Sequence, residues 1–154
     1  MVRLSDLPTV DAQHLLGKNC HAFDTQPFVA GPPLRERRVA IVTTAGLHQQ
    51  GQDTFQLRDT GYRVIPGHVP GEQLLMSHTS VNFDRSGFQQ DVNTVFPVDR
   101  LRELAQNKEI GSVADFHYSL MGAGWDPHEI EHSSREIAGL LKEDRVNAAL
   151  LVPV

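Results

Sequence analysis

Three histidines stand where segments that read as strands come to an end. His48 follows the run Val39–Thr44, His78 closes Leu74–His78, and His117 closes Ser112–His117. A neutral imidazole near pH 7 takes or gives a proton with little bias, which suits acid–base work. Parallel strands open their carboxyl ends on one edge, where α/β folds gather ligands. Taken singly, each reads as a loop histidine bonded to backbone. Recurrence at three strand ends, in a chain with 8 histidines, points to one shared site.

Other polar groups fall near the same edge. Ser77–Arg85 (Ser77-His78-Thr79-Ser80-Val81-Asn82-Phe83-Asp84-Arg85) is dense in short polar side chains and reads as a substrate-contact loop, or as a solvated loop closed by an Asn/Asp turn. His78, Asp84 and His117 are the candidate catalytic residues. Ser119–Trp125 places Gly122 and Gly124 just before a helix start, where free N–H groups and the helix dipole favour an anion. It lacks the third glycine of a dinucleotide fingerprint, so a tight turn is the plainer reading. With His48, these glycines are the candidate substrate contacts.

His128-Glu129-Ile130-Glu131-His132 has the His-Glu-x-x-His spacing of zinc proteases. It lies on the first turn after Asp126-Pro127, with Ile130 inside it facing the core, so no metal site is assigned. A zinc hydrolase using His128 and His132 is the remote alternative.

Composition excludes other classes. Hydrophobic residues make up 40% and charged residues 21%, and the net charge of −5 lacks the basic footprint of a nucleic-acid binder. No segment reaches the roughly 18 apolar residues of a membrane span, and the amino terminus is no signal peptide. A lone Cys20 cannot form an internal disulfide, which fits a cytoplasmic setting.

The elements that position these groups begin at Arg38. Residues 1–37, punctuated by proline, read as an irregular arm whose Phe23, Phe28 and Val29 need cover, with a helical turn at His14-Leu15-Leu16. Residues 38–154 read as an α/β domain. Val39–Thr44 is a β-branched apolar run, as in a strand buried on both faces, and Tyr62–Ile65 is a second strand stopped by Pro66-Gly67. Val98, Leu101, Leu104 and Ala105 share a helical face, with Pro97 suited to the first helical position. Asp126-Pro127-His128-Glu129 is a capped helix start. Strand–helix alternation predicts a mainly parallel open sheet of flavodoxin-like or Rossmann-like type. The terminal run Val146–Val154 reads as a buried strand, so the sheet is expected to be incomplete at the carboxyl terminus, leaving an unstable fragment.

Several segments resemble one known family. Arg38–His48 looks like its opening strand and turn, Ser77–Arg85 and Asp91–Ala105 like its central signature, and Phe116–Gly124 like its glycine turn. The family is the glycine/sarcosine/betaine/D-proline reductase selenoprotein B group. The resemblance implies reductive C–N cleavage of a small amine or amino acid, with other subunits of a complex supplying a carbonyl group and reducing equivalents. It places a selenocysteine immediately after Val154 as the nucleophile, with no cofactor in this chain itself. It also implies that an in-frame UGA was read as a stop, leaving an inactive fragment. A non-catalytic small-carboxylate-binding module is the alternative of another class.

Overall fold

A computed structural model describes residues 3–17, 24, 26–81 and 83–154. Cys20, Phe23 and Asn82 lie outside the described residues. In chain order the helices are α1 (Thr9–Leu16), α2 (Ser86–Gln90), α3 (Val98–Gln106) and α4 (Glu131–Glu143). The strands are β1 (Arg38–Thr43), β2 (Leu47–Gln49), β3 (Tyr62–Pro66), β4 (Leu74–Met76), β5 (Ser112–Val113), β6 (Phe116–Leu120) and β7 (Ala148–Val152).

β1 is the centre of the main sheet. On one side it pairs in parallel with β7 over Val39↔Ala148 to Thr43↔Val152. On the other it meets β5 and β6, also parallel, which are two pieces of one interrupted run. β3 closes that side antiparallel to β6, from Tyr62↔Leu120 to Pro66↔Phe116. The α/β class holds, but the sheet is mixed, correcting the expectation of a mainly parallel one. The reason lies in the connection: no helix among the described residues intervenes between β2 and β3, so no crossover forces β3 into the parallel sense. A separate antiparallel pair joins β2 to β4.

Strand alternation distributes the side chains to two faces. Val39, Ile41 and Ile65 join Phe96, Val98 and Leu101 in one core, under α3. Val42, Tyr62, Val64, Tyr118 and Leu120 meet Ile137 of α4 on the other. Asp126 and Glu129 form the expected capping box, with Pro127 opening a 3₁₀ turn (Pro127–Ile130) that runs into α4. Pro97 is the N-cap of α3 rather than its first helical residue. Before Arg38, α1 is a full helix rather than a single turn, and Phe28 and Val29 stay exposed, at 93% and 79%, without the cover expected of them. Among the described residues β7 pairs with β1 alone; Leu150 and Leu151 are exposed at 38% and 69%. No helix among the described residues is long and apolar enough to cross a membrane.

Candidate functional site

The carboxyl ends of β1, β6 and β7 converge with the loop after β4. Thr44, one residue beyond β1, takes the Val152 carbonyl on its amide at 3.1 Å, and its Oγ1 accepts the Val154 amide at 2.8 Å. Gly122, past β6, packs into the same point. A Cβ there would lie 2.7 Å from the Val154 carbonyl oxygen, 2.8 Å from that of Thr44 and 3.0 Å from His78 Nε2. No side chain fits among them, so glycine is required here for close approach rather than for an unusual φ. Beside this junction runs a cleft of about 760 Å³. His78, Ser80, Phe83, Arg58, Trp125 and Val154 line it, together with Gly122, Gly124 and Glu129; His14 and Leu15 of α1 border it from the arm.

His78 is the buried titratable group of the cleft, 4% exposed. Its Nδ1 accepts the Ser80 amide at 3.2 Å, so the ring proton of the neutral form sits on Nε2. Nε2 is buried and has no hydrogen-bond partner among the described residues. Burial, and secondarily the Arg85 charge, lower its pKa, so the ring is neutral at pH 7. Phe83 stacks obliquely on it with centroids 5.1 Å apart. Opposite, Trp125 is fixed by its indole N–H on the Met121 carbonyl at 2.5 Å.

The other expected site residues are placed differently. His117 is not at a strand end: β6 continues through Tyr118, Ser119 and Leu120, which leaves His117 as its second residue, fully buried. Its Nδ1 accepts the Ile41 amide at 3.0 Å, and its ring packs on Phe96. Burial, then the Arg102 charge, lower its pKa to about 4. His48 lies in β2, 3% exposed, with its Nδ1 3.1 Å from the Gln49 carbonyl. The chain turns at Gly46 and passes over the end of β6, where the Leu47 amide donates to Ser119 Oγ, and this carries His48 away from the cleft. Asp84 is exposed and accepts the Ser86 amide, which holds its carboxyl below the usual range; it is not among the cleft-lining residues. Thus His78, Gly122 and Gly124 come together, while His48, Asp84 and His117 do not join them.

His128 and His132 are exposed, and His132 Nε2 lies 3.2 Å from Glu136. Among the described residues no group of three or more His, Cys, Asp or Glu side chains could hold a metal ion. The sequence reading did not find Arg58, Thr44 or Trp125 in the cleft region. Trp125 beside the glycine turn was a usable signal; Arg58, in a loop more than sixty residues from that turn, carried none.

Residues 21–154 match the family model described as glycine/sarcosine/betaine reductase selenoprotein B. The chain belongs to this selenoprotein B family. Among curated relatives of the family, D-proline reductase subunit gamma of Acetoanaerobium sticklandii is 37% identical over 120 residues, 77% of this chain and 49% of the relative. Glycine reductase complex component B subunit gamma of Carboxydothermus hydrogenoformans is 28% identical over 84% of this chain and 31% of its own length. Betaine reductase complex component B subunit beta of Peptoclostridium acidaminophilum is 26% identical over 77% of this chain and 28% of its own. The chain therefore spans about half the length of the first and under a third of the others. No solved structure matches.

Proposed function

We propose that this chain forms the substrate-facing part of a reductase subunit that cleaves the C–N bond of a small carboxylated amine, with a selenol or thiol acting beside His78. The observation that carries the reading is the Nε2 of His78, buried and without a partner among the described residues, next to the end of β7. The relatives' names supply the substrate class, since glycine, betaine and D-proline each join a carboxylate to an amine nitrogen.

In this reading the selenolate or thiolate would displace the nitrogen, so that a C–Se or C–S bond forms as the C–N bond breaks and the amine leaves with a proton from solvent. A second thiol would then take the selenium or sulfur as a selenenyl sulfide or disulfide while the carbon gains a proton, and the partners' reducing equivalents would restore the pair. A neutral imidazole N–H is a poor proton source but a good donor of a hydrogen bond to a developing anion. His78 in this reading holds the selenolate or thiolate in its ionised, nucleophilic form. In this reading that group follows the strand resembling Ala148–Val154, whose end Gly122 and Thr44 grip. Partner subunits supply the carbonyl group and reducing equivalents, in keeping with relatives named as components of complexes.

The test is amine release by the full-length subunit with its partners, comparing wild type with His78→Gln. A loss of about 100-fold or more in turnover is expected, as for removal of a donor to a reacting anion. Undiminished turnover would sink the reading. Saturable substrate binding with no turnover by the wild-type assembly would favour a carboxylate-binding module instead.

A further inference from the structure

We infer that Arg58 is the residue that anchors the ligand's carboxylate in the cleft, an inference that rests on the substrate class proposed above. Arg58 is the only Lys or Arg that lines the cleft among the described residues. Its Nη2 donates to both carboxylate oxygens of Glu129, at 2.9 and 3.1 Å. Nε and Nη1 have no protein partner among the described residues, and the side chain is 62% exposed. The guanidinium is therefore held in place by one carboxylate while its remaining N–H fork is open, the geometry that suits a second, incoming carboxylate.

The backbone supports the same assignment. Arg58 has φ +61, and Lys108 and Arg145 are the other non-glycine residues with positive φ among the described residues. Those two come just after the C-caps of α3 and α4, where a left-handed residue ends a helix as a matter of course. Arg58 ends no helix. It is the third residue of a turn closed by the Asp59 amide on the Gln56 carbonyl at 3.0 Å, a place where positive φ calls for glycine or asparagine. An arginine here needs a reason beyond the turn, and its position over the cleft is that reason.

The facing wall is shaped around it. Gly124 has φ +92, and a Cβ there would come 3.1 Å from Arg58 Cγ and 3.2 Å from its backbone nitrogen. Two segments far apart in sequence thus make room for one guanidinium. Glu129 is in turn fixed by the Asp126 amide at 2.7 Å, so the helix start supplies a rigid backstop for Arg58.

The experiment is titration of the full chain with D-proline and glycine betaine, and with pyrrolidine and choline as their carboxylate-free counterparts. The variants are Arg58→Asn, which suits the left-handed backbone, and Glu129→Gln, which removes the ion pair but leaves the guanidinium. Thermal melts confirm that each is folded. Arg58→Asn is expected to weaken D-proline and betaine about tenfold or more and to leave pyrrolidine and choline unchanged. Glu129→Gln keeps a side-chain oxygen that can accept from the guanidinium, and is expected to weaken carboxylate binding less than Arg58→Asn does. Wild-type affinity in Arg58→Asn would overturn the assignment and leave the cleft reading standing. Equal weakening in both variants would show that Arg58 acts only by holding the turn, and would overturn it as well. Absence of saturable binding by the wild-type chain would overturn this assignment together with the proposed substrate class.

Discussion

The amide of Ile41, in the middle of β1, donates to the Nδ1 of His117 at 3.0 Å. The run from β5 to β6 breaks at Ala114–Asp115, so no backbone carbonyl reaches this amide, and an imidazole completes the ladder. The bond requires an unprotonated Nδ1, and the ring lies fully buried.

This predicts a specific loss of stability in acid. In the unfolded chain the imidazole titrates near 6.5, and in the fold at about 4. As pH falls, the unfolded state binds the proton first. The stabilisation is complete above 6.5 and lost as pH drops through about 4, amounting to about 3 kcal/mol at roughly 1.4 kcal/mol per unit. Urea unfolding at a series of pH values measures it, and His117→Asn should flatten the slope in that window.

Asp144 ties β1 to the break in the β5–β6 run. Its carboxylate takes the Arg38 guanidinium and the amides of Asp115 and Phe116, at 2.9 and 3.3 Å. Asp144→Ala leaves a half-buried arginine and two amides without this partner, and is expected to cost about 3 kcal/mol, as for other broken buried pairs. Chemical denaturation of the variant checks it; a change below 1 kcal/mol would show that water replaces the carboxylate.

Gly122→Ala should damage the fold and the cleft together. The added Cβ meets two backbone carbonyl oxygens that cannot rotate away, at 2.7 and 2.8 Å. The expected cost is about 1–3 kcal/mol, with weakened ligand binding as Val154 and Thr44 are pushed apart. A variant that melts and binds like wild type would mean the junction yields more readily than this packing allows.

The pH profile of the assembled enzyme should carry the signature of His78. Its pKa is lowered by burial and by Arg85, so the neutral donor persists to lower pH than in an ordinary histidine. Turnover should therefore hold on the acid side of 6.5 and fall only at lower pH, when Nδ1 gains a proton and loses the Ser80 amide. His78→Gln should remove that limb from the kcat profile.

Much of the framework was legible because it obeys local rules. Asp126-Pro127-x-Glu129 gave a helix start that the structure reproduces as a capping box, and Val39–Thr44 gave the central strand by its apolar run. The direction of β3 was not legible, since Tyr62–Pro66 is the same sequence whichever way it pairs. His117 was misplaced for a similar reason. Ser119-Leu120 reads as the start of the glycine loop, but Tyr118 and Leu120 bury against α4, and that tertiary contact extends the strand past the histidine. The cleft half of the site was visible in His78, Gly122 and Gly124. Arg58 was not, because what singles it out is a backbone angle and a neighbour on another segment.

Thr44 has a wider consequence than the bonds it makes. Its hydroxyl and amide are two points of attachment for residues 152 and 154, which fixes both the position and the heading of the backbone as it leaves β7. A strand held at one point can pivot; held at two, it has a bearing. Loss of the hydroxyl, as in Thr44→Val, keeps the bulk and the amide but frees the heading, and an angular error there grows with distance along the chain. If the proposed selenol or thiol follows that end of the strand, its delivery would depend on the Thr44 hydroxyl, and the damage would appear as scatter in aim, with little change in melting temperature.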